Sequence, residues 1–223
     1  MSTSSPSSGS SEHPTVQTRW EILETAPAVS ASGTISPAPA AAPAPEPIGL
    51  LYRRWDATEL VTEAIFVRPE PHRIRSRIVF ESKRWVTSYY AEDDQDPVTI
   101  EAKDLIEDED AIPSYMEFLV LRDAASTFED GDHTISYHVI TPSDPHGIAQ
   151  DASMWQPEAG MWEIETNGDL ASTHWVEDGS VVRSDWRGYV SRPVQPAQAV
   201  RALSGVIDDG ELAALLSHEP HHS

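Results

Sequence analysis

The side chains that could do chemistry in this chain are its nine histidines and 37 acidic residues, because it contains no cysteine. Thiolate catalysis, disulfides and cysteine-ligated zinc or iron–sulfur sites are therefore excluded. His133 and His138 lie five residues apart on one predicted strand, so they point to opposite faces and cannot share a metal ion. His138, His146 and Asp144 could meet if the segment TPSDPHG folds back, but this spacing is unspecific. We expect no metal and no cofactor.

Sequence motifs for nucleophilic or phosphate chemistry are also absent. The chain contains no G-x-S-x-G, no P-loop and no G-x-G-x-x-G at a strand–helix junction. Acidic residues are dense between positions 92 and 132, and such a density could indicate a calcium-binding site. The segment DDQDPVTIEA, however, lacks the central glycine of an EF-hand and contains Pro97. We interpret this region as solvated loops, and the sequence favours a protein that is not an enzyme.

The overall charge limits the possible partners. Fifteen basic and 37 acidic residues give a net charge of −22. Such a charge repels nucleic acid phosphates and anionic lipids, so we expect neither as a partner. The amino terminus lacks the basic and apolar regions of a signal peptide, and no apolar run approaches the roughly 18 residues that span a bilayer. The expected location is the cytoplasm.

The stretch 160–189, GMWEIETNGDLASTHWVEDGSVVRSDWRGY, predicts a three-stranded meander. Asn167-Gly168 and Asp178-Gly179 are strong signals for two-residue hairpin turns. Uninterrupted pairing from these turns would match Thr166 with Asp169, Ile164 with Ala171, Trp162 with Thr173, Trp175 with Val182, and Ala171 with Trp186. One face would then carry Trp162, Ile164, Ala171, Trp175, Val182 and Trp186. The other would carry Glu163, Glu165, His174, Arg183, Asp185 and Arg187.

The tryptophan face has two interpretations. It could be a core wall packed on a second sheet or helix. Alternatively, Trp162, Trp175 and Trp186 could line the cavity of an open barrel, a place that suits an aromatic ring with an N–H donor. The polar groups of such a binding site would be Tyr137, His138 and His174. A cavity of roughly 300 Å³ or more, lined by these tryptophans, would favour ligand binding.

The amino-terminal residues 1–47 are rich in Ser, Ala, Pro and Thr, which predicts a disordered arm and linker. The run SPAPAAAPAPEP within it is typical of extended polyproline II. The segment RWEILE is an exception, because Trp20, Ile22 and Leu23 are close together among small polar residues. It is either a chance cluster or a docking motif that fills a groove on a protein partner or on the protein's own domain. We expect a docking motif.

Residues 48–195 have the composition of an antiparallel β domain. Period-two patterns and flanking turn residues predict strands over LVTEAIF, which ends at Arg68-Pro69, and over 73–80, 84–90, 98–102, 115–122 and 133–141. Residues 196–217 predict two helices that pack on this domain, the second capped by Asp208. Residues 218–223 read as a tail.

Three arginines alternate along RIRSRIVF, which places Arg73, Arg75 and Arg77 on one face of a strand. They could pair across the sheet with acids such as Glu101 or Glu117. Alternatively, they form an anion site or a stripe that docks a protein partner.

The sequence therefore predicts a mainly β protein, with about seven to nine antiparallel strands in a sandwich or barrel and one or two carboxyl-terminal helices. We expect a non-enzymatic interaction or assembly protein that binds protein partners, either as a homo-oligomer or in a larger particle. Trp20, Ile22 and Leu23 of the arm and the three arginines would make the contacts. The alternative is a small-molecule-binding β-barrel with a tryptophan-lined cavity.

Overall fold

The computed structural model describes residues 15–26, 46–105, 110–128 and 133–217. Within these ranges, none of the helices has the length and apolar character needed to cross a membrane. The strands are β1 Gln17–Thr25, β2 Pro47–Trp55, β3 Glu59–Phe66, β4 His72–Glu81, β5 Arg84–Glu92, β6 Val98–Glu101, β7 Ile112–Pro113, β8 Thr134–Ile140, β9 Ala149–Glu158, β10 Met161–Thr166, β11 Asp169–Glu177, β12 Ser180–Asp185 and β13 Tyr189–Val194. The α-helices are α1 Glu117–Thr127, α2 Pro196–Leu203 and α3 Asp209–Leu216.

All thirteen strands of the described ranges belong to one sheet, in the order β6-β5-β4-β3-β2-β1-β13-β12-β11-β10-β9-β8-β7. Neighbouring strands are antiparallel, except for β7 and β8. Two meanders, β1–β6 and β8–β13, are joined where β1 pairs with β13. The predicted mainly β class with carboxyl-terminal helices is confirmed, although the sheet has more strands than the seven to nine expected.

The sheet is curled so that its two meanders face each other. Ile78 and Ile100 of the first meander share a core cluster with Ile140 of the second, although these strands are far apart in the sheet order. Helix α1 lies between the meanders, where Leu121 packs with Trp162. The sheet is not closed, and this arrangement fits a sandwich or an open barrel.

The outer face of the central strands is covered by α2 and α3. Trp20, Leu50 and Tyr52 form a core cluster with residues of both helices, including Leu203 and Leu212. Asp208 caps α3 as predicted, because its Oδ1 accepts hydrogen bonds from the backbone N–H groups of Gly210 and Glu211, at 3.0 and 3.2 Å. The central strands are therefore buried on both faces.

The prediction of a disordered arm is wrong for residues 17–25. They form β1, which lies in the middle of the sheet and pairs with both β2 and β13. Trp20 and Leu23 are 2% and 3% exposed and Ile22 is also buried, so these three side chains pack inside the protein rather than on a partner. The apolar segment fills a groove of its own domain because two strands offer it backbone hydrogen bonds. Residues 1–14 and 27–45 of the predicted arm and linker lie outside the described residues.

The prediction of a strand at 115–122 is also wrong. Ser114–Met116 form a 3-10 turn and Glu117–Thr127 form α1. A short apolar run such as FLVL fits a buried strand or a buried helix equally well, so periodicity alone did not distinguish them. The helix buries Leu121 and Ala124 on one side, against the second meander.

The predicted meander is present, and both hairpin turns are confirmed by positive φ angles at Asn167 (52°), Gly168 (80°), Asp178 (49°) and Gly179 (70°). The predicted register is wrong beyond the first residues. The register shifts between Ile164 and Glu165 where β10 pairs with β11, and between Trp175 and Val176 where β11 pairs with β12. The observed pairs are Ile164 with Ser172, Trp162 with His174, and Trp175 with Arg183.

These bulges exchange the faces of two predicted site residues, because one extra residue moves all following side chains to the opposite face. His174 was expected on the charged outer face but is 2% exposed and shares the inner face with Trp162. Trp175 was expected on the apolar face but lies on the outer one. The Arg183 guanidinium there is 4.5 Å from the centre of the Trp175 ring.

Candidate ligand cavity

A cavity of about 300 Å³ lies between α1 and the inner faces of both meanders. Strands β1 to β4 form one side, β10 to β13 form the other, and α1 closes the third. Most lining side chains are apolar, and they include Leu51, Ala64, Ile74, Phe118, Leu121 and Ile164. The cavity is therefore enclosed by the elements that build the core.

Side chains along the central strands point alternately to the two faces of the sheet, and this determines which of them reach the cavity. On β1, Arg19, Glu21 and Leu23 line the cavity, whereas Trp20 between them packs under α2 and α3. On β2, Arg53 lines the cavity, while Leu50 and Tyr52 face the helices. Because successive residues of a strand point to opposite faces, β1 and β2 supply both the outer core and the cavity floor.

A buried ion pair between Arg53 and Glu21 forms the polar part of this floor. The two residues are 4% and 1% exposed. Glu21 Oε2 accepts from Arg53 Nη1, while Oε1 accepts from Arg19 Nη2 at 3.2 Å and from Ser191 Oγ at 3.0 Å. Burial raises the pKa of the Glu21 carboxyl, but Arg53 and Arg19 outweigh burial and hold it below its ordinary value. Glu21 is therefore ionised.

The two arginines share this single carboxylate. Their guanidinium groups lie over the ring of Phe118 from α1, with the carbon of Arg53 at 4.5 Å and that of Arg19 at 5.7 Å from the ring centre. Arg19 also donates from Nη2 to the backbone oxygen of Val181 at 2.7 Å. The Nε of each arginine is buried without a hydrogen-bond partner. The cavity floor therefore carries two positive charges and one negative charge. The Nε–H groups of Arg19 and Arg53 have no acceptor.

His174 contributes a neutral imidazole to the opposite wall. Its Nδ1 is 2.8 Å from Ser184 Oγ and its Nε2 is 2.8 Å from Ser172 Oγ. Burial and, to a smaller extent, Arg53 lower the pKa of His174 to about 3, against the opposing effect of Glu21. The ring contacts Trp186 edge-on, with centres 5.0 Å apart.

Glu117, at the start of α1, is the second carboxyl group that lines the cavity. It accepts a hydrogen bond from the hydroxyl of Tyr137 at 2.7 Å. Burial raises the pKa of Glu117 to about 7, although the Tyr137 hydrogen bond opposes the rise. The pKa of Tyr137 is raised by burial and by Glu117. Glu117 can therefore be neutral or charged near neutral pH.

The structure places only two of the six predicted ligand-binding residues, Trp186 and His174, at this cavity. Trp162 is 1% exposed and fills the core beside Leu121, and Trp175 lies on the outer face. Tyr137 and His138 line a separate, more open and more polar cleft. There, His138 Nε2 lies 3.1 Å from Asp151 Oδ1.

The arginine stripe on β4 makes contacts within the chain. Arg73 pairs with Glu63, and Arg77 Nε donates to Glu59 Oε2 at 2.8 Å. Arg75 Nη2 donates to the backbone oxygen of Asp93 at 3.0 Å. The prediction that these arginines pair with acids of a neighbouring strand is therefore confirmed. The acids are Glu59 and Glu63 of β3 rather than Glu101 or Glu117. Partner binding by this stripe stays a prediction.

The residues that shape the cavity floor, Arg19, Glu21 and Arg53, were missed in the sequence. A signal was present, because charged residues alternate with apolar ones in RWEIL, and LLYRRW places two arginines inside an otherwise apolar segment. A charge on the inner face of a central strand needs a partner in the interior. Reading residues 17–25 as an arm concealed this pattern.

No group of three or more His, Asp or Glu side chains in the described ranges is placed to hold a metal ion. No protein-family model, curated protein or solved structure matches the chain. The function must be argued from the cavity itself.

Proposed function

We propose that the protein is a small-molecule-binding protein, without catalytic activity, that encloses a mostly apolar ligand between α1 and the inner face of the sheet. The cavity of about 300 Å³ carries this proposal. Ligand sites are typically concave and mainly apolar, with a few convergent polar groups that orient the ligand. The cavity has this composition, with Leu51, Ala64 and Phe118 beside the arginines and His174.

The volume limits the ligand to a small molecule, since binding cavities range from about 300 to 1,000 Å³. The interaction function expected from the sequence loses one of the observations that supported it, the exposed apolar motif of the arm. Trp20, Ile22 and Leu23 are inside the fold and are not available to a partner. Ligand binding is therefore the function that the geometry supports best.

The test is the binding of a neutral apolar probe, N-phenyl-1-naphthylamine, measured by its fluorescence in titrations of the full chain. We expect a saturable signal with one probe per protein. Ala64→Phe should weaken this binding at least tenfold, because Ala64 is buried on the cavity wall and a phenyl group would occupy the space.

The matched control is Ala91→Phe on β5. Ala91 pairs with Arg75, so it shares the outer face of the sheet, away from the cavity. It should leave probe binding unchanged. An absence of saturable binding, or equal binding by the two phenylalanine variants, would contradict the proposed function.

A further inference from the structure

We propose that the ligand is an apolar monocarboxylic acid and that Arg53 and Arg19 bind its carboxylate inside the cavity. This inference rests on the proposed function and specifies the chemistry of its ligand. It predicts a single ligand orientation, with the acid group inside the fold and the apolar body toward the opening.

The charge balance of the floor is the first observation. Arg19 and Arg53 face one ionised carboxylate, Glu21, while His174 is neutral and Glu117 is neutral below its pKa of about 7. An uncompensated charge is costly in the interior, where water cannot solvate it. A ligand with one negative charge would balance the second arginine. A cation would add to the excess, and a dianion would reverse it.

The free donors are the second observation. Arg53 and Arg19 both line the cavity, and the Nε–H of each is buried without an acceptor. The Glu21 oxygens already accept from Arg53, Arg19 and Ser191. A carboxylate has two oxygens that accept several hydrogen bonds, and guanidinium–carboxylate bonds are stronger than neutral ones. The acid group of a ligand therefore satisfies donors that the protein leaves open.

The order of side chains along the strands gives the orientation. Arg53 pairs with Arg19 in one cross-strand row, and the next row along the strands contains Glu21 on β1 followed by Leu51, Ala64 and Ile74 on β2 to β4. The row after that contains Leu23 and Phe66. The two arginines thus lie at one end of the cavity along the strand direction, and the apolar side chains of β2 to β4 lie toward the other end.

The two ends of the cavity also differ in exposure. Beyond the arginines, Trp55 pairs with Leu60, and both belong to a buried cluster that closes the fold. At the other end, Phe66 contacts Tyr189, whose ring centre is 5.3 Å away and which is 38% exposed. A ligand that enters beside Tyr189 would bring its acid group to the arginines and leave its apolar body against Leu51 and Ala64.

The experiment compares decanoate, decanol and decylammonium by calorimetric titration of the full chain at pH 6, where decanoate is ionised and Glu117 is mostly protonated. The three probes share one apolar chain and differ in the charge of the end group. We expect decanoate to bind at least tenfold more tightly than decanol and decylammonium to show no binding.

Two variants test the assigned residues in opposite directions. Arg19→Met should weaken decanoate binding at least tenfold and lower the ratio of the decanoate affinity to the decanol affinity. Glu21→Gln removes the internal acid that competes for both arginines, so it should strengthen decanoate binding several-fold. A variant that is merely misfolded would not bind more tightly. Arg183→Met on the outer face is the control and should alter neither ligand's affinity.

Equal affinities for decanoate and decanol, with no gain in Glu21→Gln, would overturn the assignment of an acidic ligand while leaving an apolar binding site. If decanoate, decanol and the neutral naphthylamine probe all fail to bind, the proposed function itself fails. The two failures are therefore distinguishable.

Discussion

Trp20→Ala tests whether β1 is a structural strand rather than part of an arm. The Trp20 side chain is 2% exposed and packs edge-on against Tyr52, with ring centres 5.0 Å apart. It also contacts the cluster formed with α2 and α3. Truncating a buried tryptophan to alanine typically costs about 3–5 kcal/mol, because apolar contacts are lost and a cavity remains.

We therefore expect the free energy of unfolding to fall by about 3–5 kcal/mol, a large part of the 5–15 kcal/mol typical of a native protein. The assay is urea denaturation followed by far-ultraviolet circular dichroism. Trp175→Ala is the matched control, since it removes the same side chain from the outer face, where Trp175 is only partly buried. It should cost about 1 kcal/mol.

A Trp20→Ala variant within about 1 kcal/mol of the wild type would refute the placement of β1. Equal losses in Trp20→Ala and Trp175→Ala would refute it as well. Deleting residues 1–26 gives an independent result. Because β1 pairs with both β2 and β13, its loss should abolish the cooperative unfolding transition.

The remaining predictions concern two titrating groups and one turn. The pKa of Glu117 is raised from 4.5 to about 7, so its ionisation destabilises the fold as the pH rises through this window. Glu117→Gln should therefore be more stable than the wild type by about 2 kcal/mol at pH 8 and no more stable at pH 4, as measured by urea denaturation at each pH. The pKa of His174 is lowered from 6.5 to about 3, so the stability that it contributes above pH 6.5 is lost as the pH falls toward 3. The difference in melting temperature between the wild type and His174→Gln should shrink from pH 7 to pH 4, and a constant difference would contradict the buried neutral imidazole. Gly168→Val should destabilise the protein by about 1–3 kcal/mol, because valine resists a φ of 80°, whereas Gly168→Asn should be close to neutral.

The parts of the fold that were predictable depend on local chemistry. The turns at Asn167-Gly168 and Asp178-Gly179 and the cap at Asp208 were predicted because particular residue types favour particular backbone angles. The alternation of RIRSRIVF likewise predicted β4 and its arginine face. These signals lie within a few residues of the structure that they specify.

The parts that were not predictable depend on tertiary contacts. The segment RWEIL packs within its own chain because β2 and β13 leave a place for a strand between them. No local sequence pattern shows this place. The bulges at Ile164/Glu165 and Trp175/Val176 moved His174 inside and Trp175 outside. A single extra residue changes every later side chain, so a cavity assigned from an ideal register contained the wrong tryptophans.

The cavity floor was hidden for the same reason. Arg53 and Glu21 are 32 residues apart in the chain, and only the pairing of β1 with β2 makes them neighbours. The opposite wall requires β11 to face β2 across the cavity, which depends on how the whole sheet curls. The chemistry of the site is therefore a property of the assembled sheet.

A crystal structure of the full chain with decanoate tests the central claim most directly. The account predicts decanoate in the cavity, with its carboxylate within hydrogen-bond distance of the Nε of Arg53 or Arg19 and its apolar chain against Leu51 and Ala64. Decanoate bound only on the outer surface, or bound in the cavity with its carboxylate at Tyr189 and its chain against the arginines, would contradict it.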